Sequence, residues 1–344
     1  MSSPLVVTFG ELMLRLSPPG SERFLQSPVF SATFGGGEAN VAVSVAQLGL
    51  RSRFVSCLPA NPIGDAAVRT LRAEGIDVGS ICRSGSRVGV YYAENGASQR
   101  ASTVVYDRAH SAISEMPADA IDWSAALAGA AWFHFTGITP ALSASAASAT
   151  TAAISAARAA GARVSVDLNF RRKLWTEARA REVMTPLVRN VDLVLANEED
   201  LQSVLGIEVP EADVTTGRLD ARAFEDAAQQ VARDFCVGRV AITLRESSSA
   251  SDNGWSALLW DANAGTMLTS QRYDVRVIDR IGAGDSFAAG LIYGLLTGRA
   301  PDEALRFAVA ASALKHSIPG DFNRVTVEEV DRLVRGDASG RVQR

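Results

Sequence analysis

Short, continuously apolar runs alternate along this chain with longer segments of helical period. The runs 6–9, 53–58, 131–135, 164–167, 193–196 and 240–244 predict strands. Between them, 39–48, 66–74, 143–159, 179–188 and 223–234 predict helices. Strands that are apolar throughout and separated by helices belong to a parallel sheet covered on both faces. Right-handed crossovers stack such units as a three-layer αβα domain of the α/β class, with a mostly parallel central sheet. Two regions break the rhythm. Residues 12–17, and 88–93 with 103–106, alternate apolar and polar positions around the turn-forming Glu94-Asn95-Gly96. Alternation marks half-exposed, antiparallel pieces. They are either a small β lid, built from about 11–36 and 86–110 on a single domain spanning 1–344, or two plain surface hairpins. The alanine-rich stretch 125–162 contains Trp132, Phe133 and Phe135. It predicts a buried strand followed by a small-residue helix packed close to the sheet. The polar segment 208–220 predicts a surface excursion.

Composition narrows the class. Of 344 residues, 47% are hydrophobic and 21% charged, as in an ordinary globular protein. Thirty-four Lys and Arg against 38 Asp and Glu give a net charge of −4, so no basic surface points to nucleic acid. No apolar run approaches the roughly 18 residues of a membrane span, and the chain reads straight into a strand. Cys57, Cys82 and Cys236 lie far apart and form no CxxC pair, which argues against a zinc site or a disulfide framework. The expectation is a cytoplasmic protein with neither membrane nor nucleic-acid partner. His110, His134 and His316 form no ligand cluster, and His134 lies in an apolar strand as a core residue would.

Two motifs carry chemistry. Asp279-Arg280-Ile281-Gly282-Ala283-Gly284-Asp285-Ser286-Phe287 runs into the helical stretch 288–296. Small residues at a helix start leave backbone N–H groups open to an anion. Asp285 there is either a helix cap or a base beside that anion. The motif is neither a GxxxxGK[ST] loop nor a dinucleotide fingerprint. Earlier, Phe34-Gly35-Gly36-Gly37-Glu38-Ala39-Asn40 precedes a helix. Gly36 and Gly37 let the backbone approach a ligand closely, and Asn40 has the reach to bond a hydroxyl. A flexible turn with a helix cap is the plainer alternative.

In this order and spacing, the two motifs resemble the signatures of the PfkB (ribokinase-like) carbohydrate kinase family, from Gly10 to about Asn323. Within it the chain resembles the 2-keto-3-deoxygluconate kinases. The shared pieces are Gly10-Glu11, Gly89-Val90-Tyr91, Tyr106-Asp107-Arg108 with Ser111-Ala112, Asp167-Leu168-Asn169-Phe170-Arg171 with Lys173-Leu174-Trp175, and Gly320-Asp321. The resemblance implies transfer of the ATP γ-phosphoryl group to 2-keto-3-deoxygluconate, giving 2-keto-3-deoxy-6-phosphogluconate. It implies Asp285 as the base and the N–H groups of Gly282, Ala283 and Gly284 as the anion hole. Mg²⁺ would travel with the nucleotide phosphates, and no residue is assigned to hold a metal. Gly36, Gly37, Asn40, Tyr91, Tyr106, Arg108, Arg171 and Asp321 are the implied sugar-acid contacts. Arg108 and Arg171 suit the carboxylate. Asn169, Asn197, Thr243, Arg245 and Ser247 join Gly282 and Gly284 on the nucleotide side. A homo-oligomer formed through the lid is also implied.

The chain departs from the family pattern at three places. Asn197-Glu198-Glu199-Asp200 ends in Asp where Glu is common, Arg245 replaces a common Gly, and Arg280-Ile281 replaces two threonines. The last weakens any case for a monovalent-cation site. A kinase for a neutral sugar, fructose or ribose, and a catalytically silent sugar- or nucleotide-binding relative are the competing readings.

Overall fold

Neighbouring residues of the central strands point to opposite layers, and both layers are apolar. Val7, Phe133, Val164, Val194 and Val240 face one hydrophobic cluster, whereas Val6, Trp132, Leu193 and Ala241 face another. The structure is a computed structural model and describes residues 3–209 and 221–337. The excursion expected over 208–220 therefore lies outside the described residues from 210 onward.

The strands are β1 Leu5–Phe9, β2 Met13–Ser17, β3 Ser31–Gly35, β4 Arg51–Leu58, β5 Ile81–Arg83, β6 Gly89–Glu94 and β7 Thr103–Asp107. They continue as β8 Ala130–Thr136, β9 Arg163–Asp167, β10 Leu193–Ala196, β11 Arg239–Ser247, β12 Asp252–Asp261, β13 Thr266–Thr269 and β14 Tyr273–Arg276. The main sheet has the order β13-β12-β11-β10-β9-β8-β1-β4-β5, with β14 also on β12. It is parallel from β11 to β5. Helices Ala144–Ala159, Glu177–Val188 and Ala221–Phe235 cover one face through residues such as Ala153, Met184 and Val231. Helices Gly37–Gln47, Ala283–Leu296 and Pro301–Lys315 cover the other through Val41, Leu291 and Ala308. Truncating a fully buried ring such as Phe133 would cost about 3–5 kcal/mol.

The alanine-rich stretch forms β8 and the helix Ala144–Ala159, as its composition predicts. His134 is indeed in the core, bonded through Nδ1 to Ser165 Oγ at 2.8 Å, and burial lowers its pKa to about 3. All three thiols are free, although Cys57 and Cys82 are direct neighbours across β4 and β5.

Three features go beyond the sequence pattern. The antiparallel strands β12, β13 and β14 close one edge of the sheet. The strand expected over 240–244 runs on to Ser247, because β12 pairs with it along its length up to Ser247↔Asn253. Helix Pro301–Lys315 shows no one-sided apolar stripe because most of its surface is buried.

The alternating segments form a second sheet, in the order β3-β2-β6-β7. β2 pairs in parallel with β6, so these segments are one lid and not two separate hairpins.

Candidate active site

The parallel strands deliver Thr136, Asp167 and Ala196 at their C-terminal ends, where open α/β sheets gather ligands. Two helix starts meet there. Gly36 caps helix Gly37–Gln47, and Gly282 caps helix Ala283–Leu296. Their first turns place Asn40 Nδ2 2.7 Å from Asp285 Oδ2, across 245 positions of sequence. A Cβ on Gly37 would lie 3.6 Å from Asp285 Oδ1, so that backbone also borders the carboxylate. Burial raises the Asp285 pKa to about 7; Asp321 and Glu38 add to the rise, while Asn40 and Arg171 oppose it. A half-buried carboxyl poised near neutrality suits a general base.

Glu38, between Gly37 and Asn40, is fully buried. It accepts from Thr136 N at 3.0 Å and from the hydroxyls of Thr136 and Thr139 at 2.7 Å each. It thereby ties the first motif to the end of β8.

Gly282 has φ 86°, and a Cβ there would overlap the Asp321 carbonyl oxygen. Gly284 differs, because a Cβ on it would meet nothing within 4 Å. It opens into a cleft of about 540 Å³ lined also by Asp167, Asn169, Asn197, Thr243, Arg245 and Ser247. Every nucleotide-side residue expected from the sequence thus borders one cleft, except the capping Gly282 behind it. Arg280 borders it as well. Its Nη2 donates to the Ala250 carbonyl oxygen at 2.9 Å, and its Nε is buried with no partner. Asn169 has φ 41° and a buried Oδ1 with no partner. The guanidiniums of Arg245 and Arg280, the second with an unpartnered Nε–H, and a helix N-terminus together fit a polyphosphate. Among the described residues, no group of three or more His, Cys, Asp and Glu could hold a metal ion.

Asp200 fills its place by capping. Its Oδ2 accepts from Asn197 N at 3.2 Å, and its Oδ1 accepts from Phe170 N at 2.7 Å. Its pKa rises to about 6 through burial. The shorter side chain thus locks the 168–171 segment to the helix start at Asn197 after β10. Burial, Asp200 and Asp285 push Asp167 well above the usual carboxyl range.

On the lid side, a second cavity of about 980 Å³ is lined by Tyr106, Arg108, Arg171 and Lys173 among others. Arg171 is exposed and borders both cavities. The structure brings Arg108 to Glu11: both Nε and Nη2 donate to the buried Glu11 carboxylate, and Ser111 Oγ donates to it at 2.7 Å. Tyr91 stacks near Tyr106, with ring centroids 6.0 Å apart, and its hydroxyl donates to Asp321 at 2.5 Å. Asp321 also accepts from Arg15 Nη1 at 2.9 Å, while Arg15 Nη2 donates to Asp279 at 2.6 Å. Burial raises the Asp321 pKa, against the pull of Arg15. Arg15, Glu38, Arg280 and Lys315 did not stand out in the sequence as site residues. Only Arg280 and Glu38, inside the motifs, carried a signal that could have marked them.

Comparison with known proteins identifies the family. The description "pfkB family carbohydrate kinase" matches residues 3–323. A 2-dehydro-3-deoxygalactonokinase from Haloferax volcanii is 33% identical, covering 97% of this chain and 98% of its own. The crystal structure of 2-dehydro-3-deoxygluconokinase from Thermotoga maritima superposes with a TM-score of 0.93 at 48% identity, covering 97% of this chain and 100% of that one. A fructokinase with bound ATP from Xylella fastidiosa shares the fold, with a TM-score of 0.73 at 23% identity, covering 96% and 98% of the two chains. With both signatures meeting at Asp285 and the match running through nearly the whole chain, this protein belongs to the pfkB family of carbohydrate kinases.

Proposed function

We propose that the protein phosphorylates a 2-keto-3-deoxy sugar acid with ATP, 2-keto-3-deoxygluconate giving its 6-phosphate. The observation that carries this reading is Arg171, a guanidinium shared by the nucleotide cleft and the lid-side cavity. A carboxylated acceptor lying between the lid and Asp285 forms a charge-assisted pair with it, and a neutral sugar does not. Asp285 takes the proton of the acceptor hydroxyl, the oxygen attacks the γ-phosphorus, and the bond to the ADP oxygen breaks. The N–H groups of Gly282, Ala283 and Gly284 receive the charge on the transferring group. Arg245 and Arg280 hold the remaining phosphates. Mg²⁺ carried by the nucleotide would supply charge neutralisation.

Relatives named for the gluconate- and the galactonate-derived acids both match this chain, so both epimers belong in the test. A coupled ADP-release assay would compare the two acids with fructose and ribose. We expect kcat/KM for an acid to exceed that for either neutral sugar at least about tenfold. Arg171→Ala should raise the Michaelis constant for the acid by roughly one to two orders of magnitude, the scale of one charge-assisted bond. Faster turnover of fructose or ribose by the parent would overturn the reading.

A further inference from the structure

Lys315 ends helix Pro301–Lys315 with no exposure to solvent. Its Nζ donates to the Ile318 carbonyl oxygen at 3.0 Å. Its Cε lies 3.3 Å from where a Cβ on Gly282 would sit, so the chain packs directly behind the glycine loop. The groups facing it are Asp279, Asp321, Arg15 and Asp285. Their charges decide its role. Asp279 and Asp321 share a single cation, Arg15, with side chains at most 3% exposed. One guanidinium between two carboxylates leaves a buried negative charge at the back of a loop whose front must accept a phosphoryl group. The Lys315 ammonium is the second positive charge that balances them. Burial lowers its pKa, with Arg15 adding to the fall and the three aspartates opposing it.

We propose that Lys315 is the built-in counter-charge of the glycine loop, a positioning residue that lets the Gly282–Gly284 backbone receive the transferring phosphoryl group without touching it. This rests on the phosphoryl-transfer reading above. A buried ammonium with one carbonyl acceptor is costly to keep. Its place, behind the loop and beside two carboxylates that share one guanidinium, gives the reason it is kept.

The experiment compares the parent with Lys315→Met, Lys315→Arg and the charge-balanced double variant Asp279→Asn/Lys315→Met. ATP binding is read by calorimetry. Turnover is read on whichever acceptor the parent phosphorylates best. A wrong acceptor assignment therefore shows in the parent alone and leaves this test intact. For Lys315→Met we expect ATP affinity and kcat each to fall about tenfold or more, and the acceptor Michaelis constant to stay within about threefold. The acid limb of kcat/KM should move to higher pH, because a positive charge near Asp285 is gone. Lys315→Arg should restore most of the loss. The double variant, neutral again behind the loop, should recover ATP affinity relative to Lys315→Met, and it tests the idea even if the single variant does not fold. Unchanged kcat and acid limb in Lys315→Met would overturn the proposal. So would equal losses in Lys315→Met and Lys315→Arg with the limb unmoved, or a double variant worse than the single one; each would mean that Lys315 only fills space.

Discussion

As the proposed base, Asp285 carries the chemistry in one side chain. Its pKa of about 7, set mainly by burial, places its ionisation inside the working pH range. The base acts when deprotonated, so kcat/KM should fall as pH drops through 7, by up to about tenfold per unit. A profile flat from pH 8 to 6 would remove this assignment. Asp285→Asn should lower turnover by roughly 10²-fold or more while leaving ATP binding near the parent value. The same substitution bears on stability. The folded pKa lies above the ordinary carboxyl value near 4, so the folded state loses stability as pH rises from about 4 through 7. Above pH 7 the Asn variant should therefore melt no lower than the parent, as calorimetry would show. The sequence left Asp285 as either cap or base. Its short bond to Asn40, from the other motif, favours the base, and no local pattern could supply that contact.

At the scale of the element, two glycines two positions apart do different work in the start of helix Ala283–Leu296. Gly282 takes φ 86° against the Asp321 carbonyl, so Gly282→Ala should lower the melting temperature. Gly284 has open space beside it and faces the cleft, so Gly284→Val should fold normally. It should still lose turnover on the scale of about 3 kcal/mol, since the new side chain would occupy the proposed phosphoryl site. Thermal melts and kcat measured on both variants check the contrast. If Gly284→Val keeps parental turnover, the anion hole lies elsewhere. The motif reading marked this helix start correctly. Helix Pro301–Lys315 was not legible, because being buried nearly all round erases the periodic signal. β12 carries no alternating pattern either, because it is buried at nearly every position.

Across the whole molecule, the lid is held to the main domain through buried charge. Arg15 on β2 and Tyr91 on β6 both reach Asp321, and Arg15 also reaches Asp279. Arg15→Met would take from two buried carboxylates their shared ion-pair partner, a loss of about 3–5 kcal/mol. We expect a lower melting temperature and a raised Michaelis constant for the acceptor, since the lid frames its cavity. Parental stability would show that the lid is held by packing alone. Arg108 and Arg171 separate by the same logic. Arg108→Ala strands the buried Glu11 and should lower stability as well as acceptor binding. Arg171→Ala should affect the acceptor without lowering the melting temperature, because the residue is exposed.

The order of the central parallel strands β1, β4, β8, β9, β10 and β11 with the longer helices between them, the lid segments and both signature motifs were readable from the residues alone. Each is written in local periodicity or in small residues at a helix start, and local sterics act within a few residues. Tertiary structure decided the rest. It turned Arg108 toward Glu11, used Asp200 as a cap, and set Lys315 behind the glycine loop. A charge takes its meaning from the charges around it and from the solvent it has lost. Both are fixed only when segments hundreds of residues apart pack together, as Arg15 does with Asp321 across 306 positions.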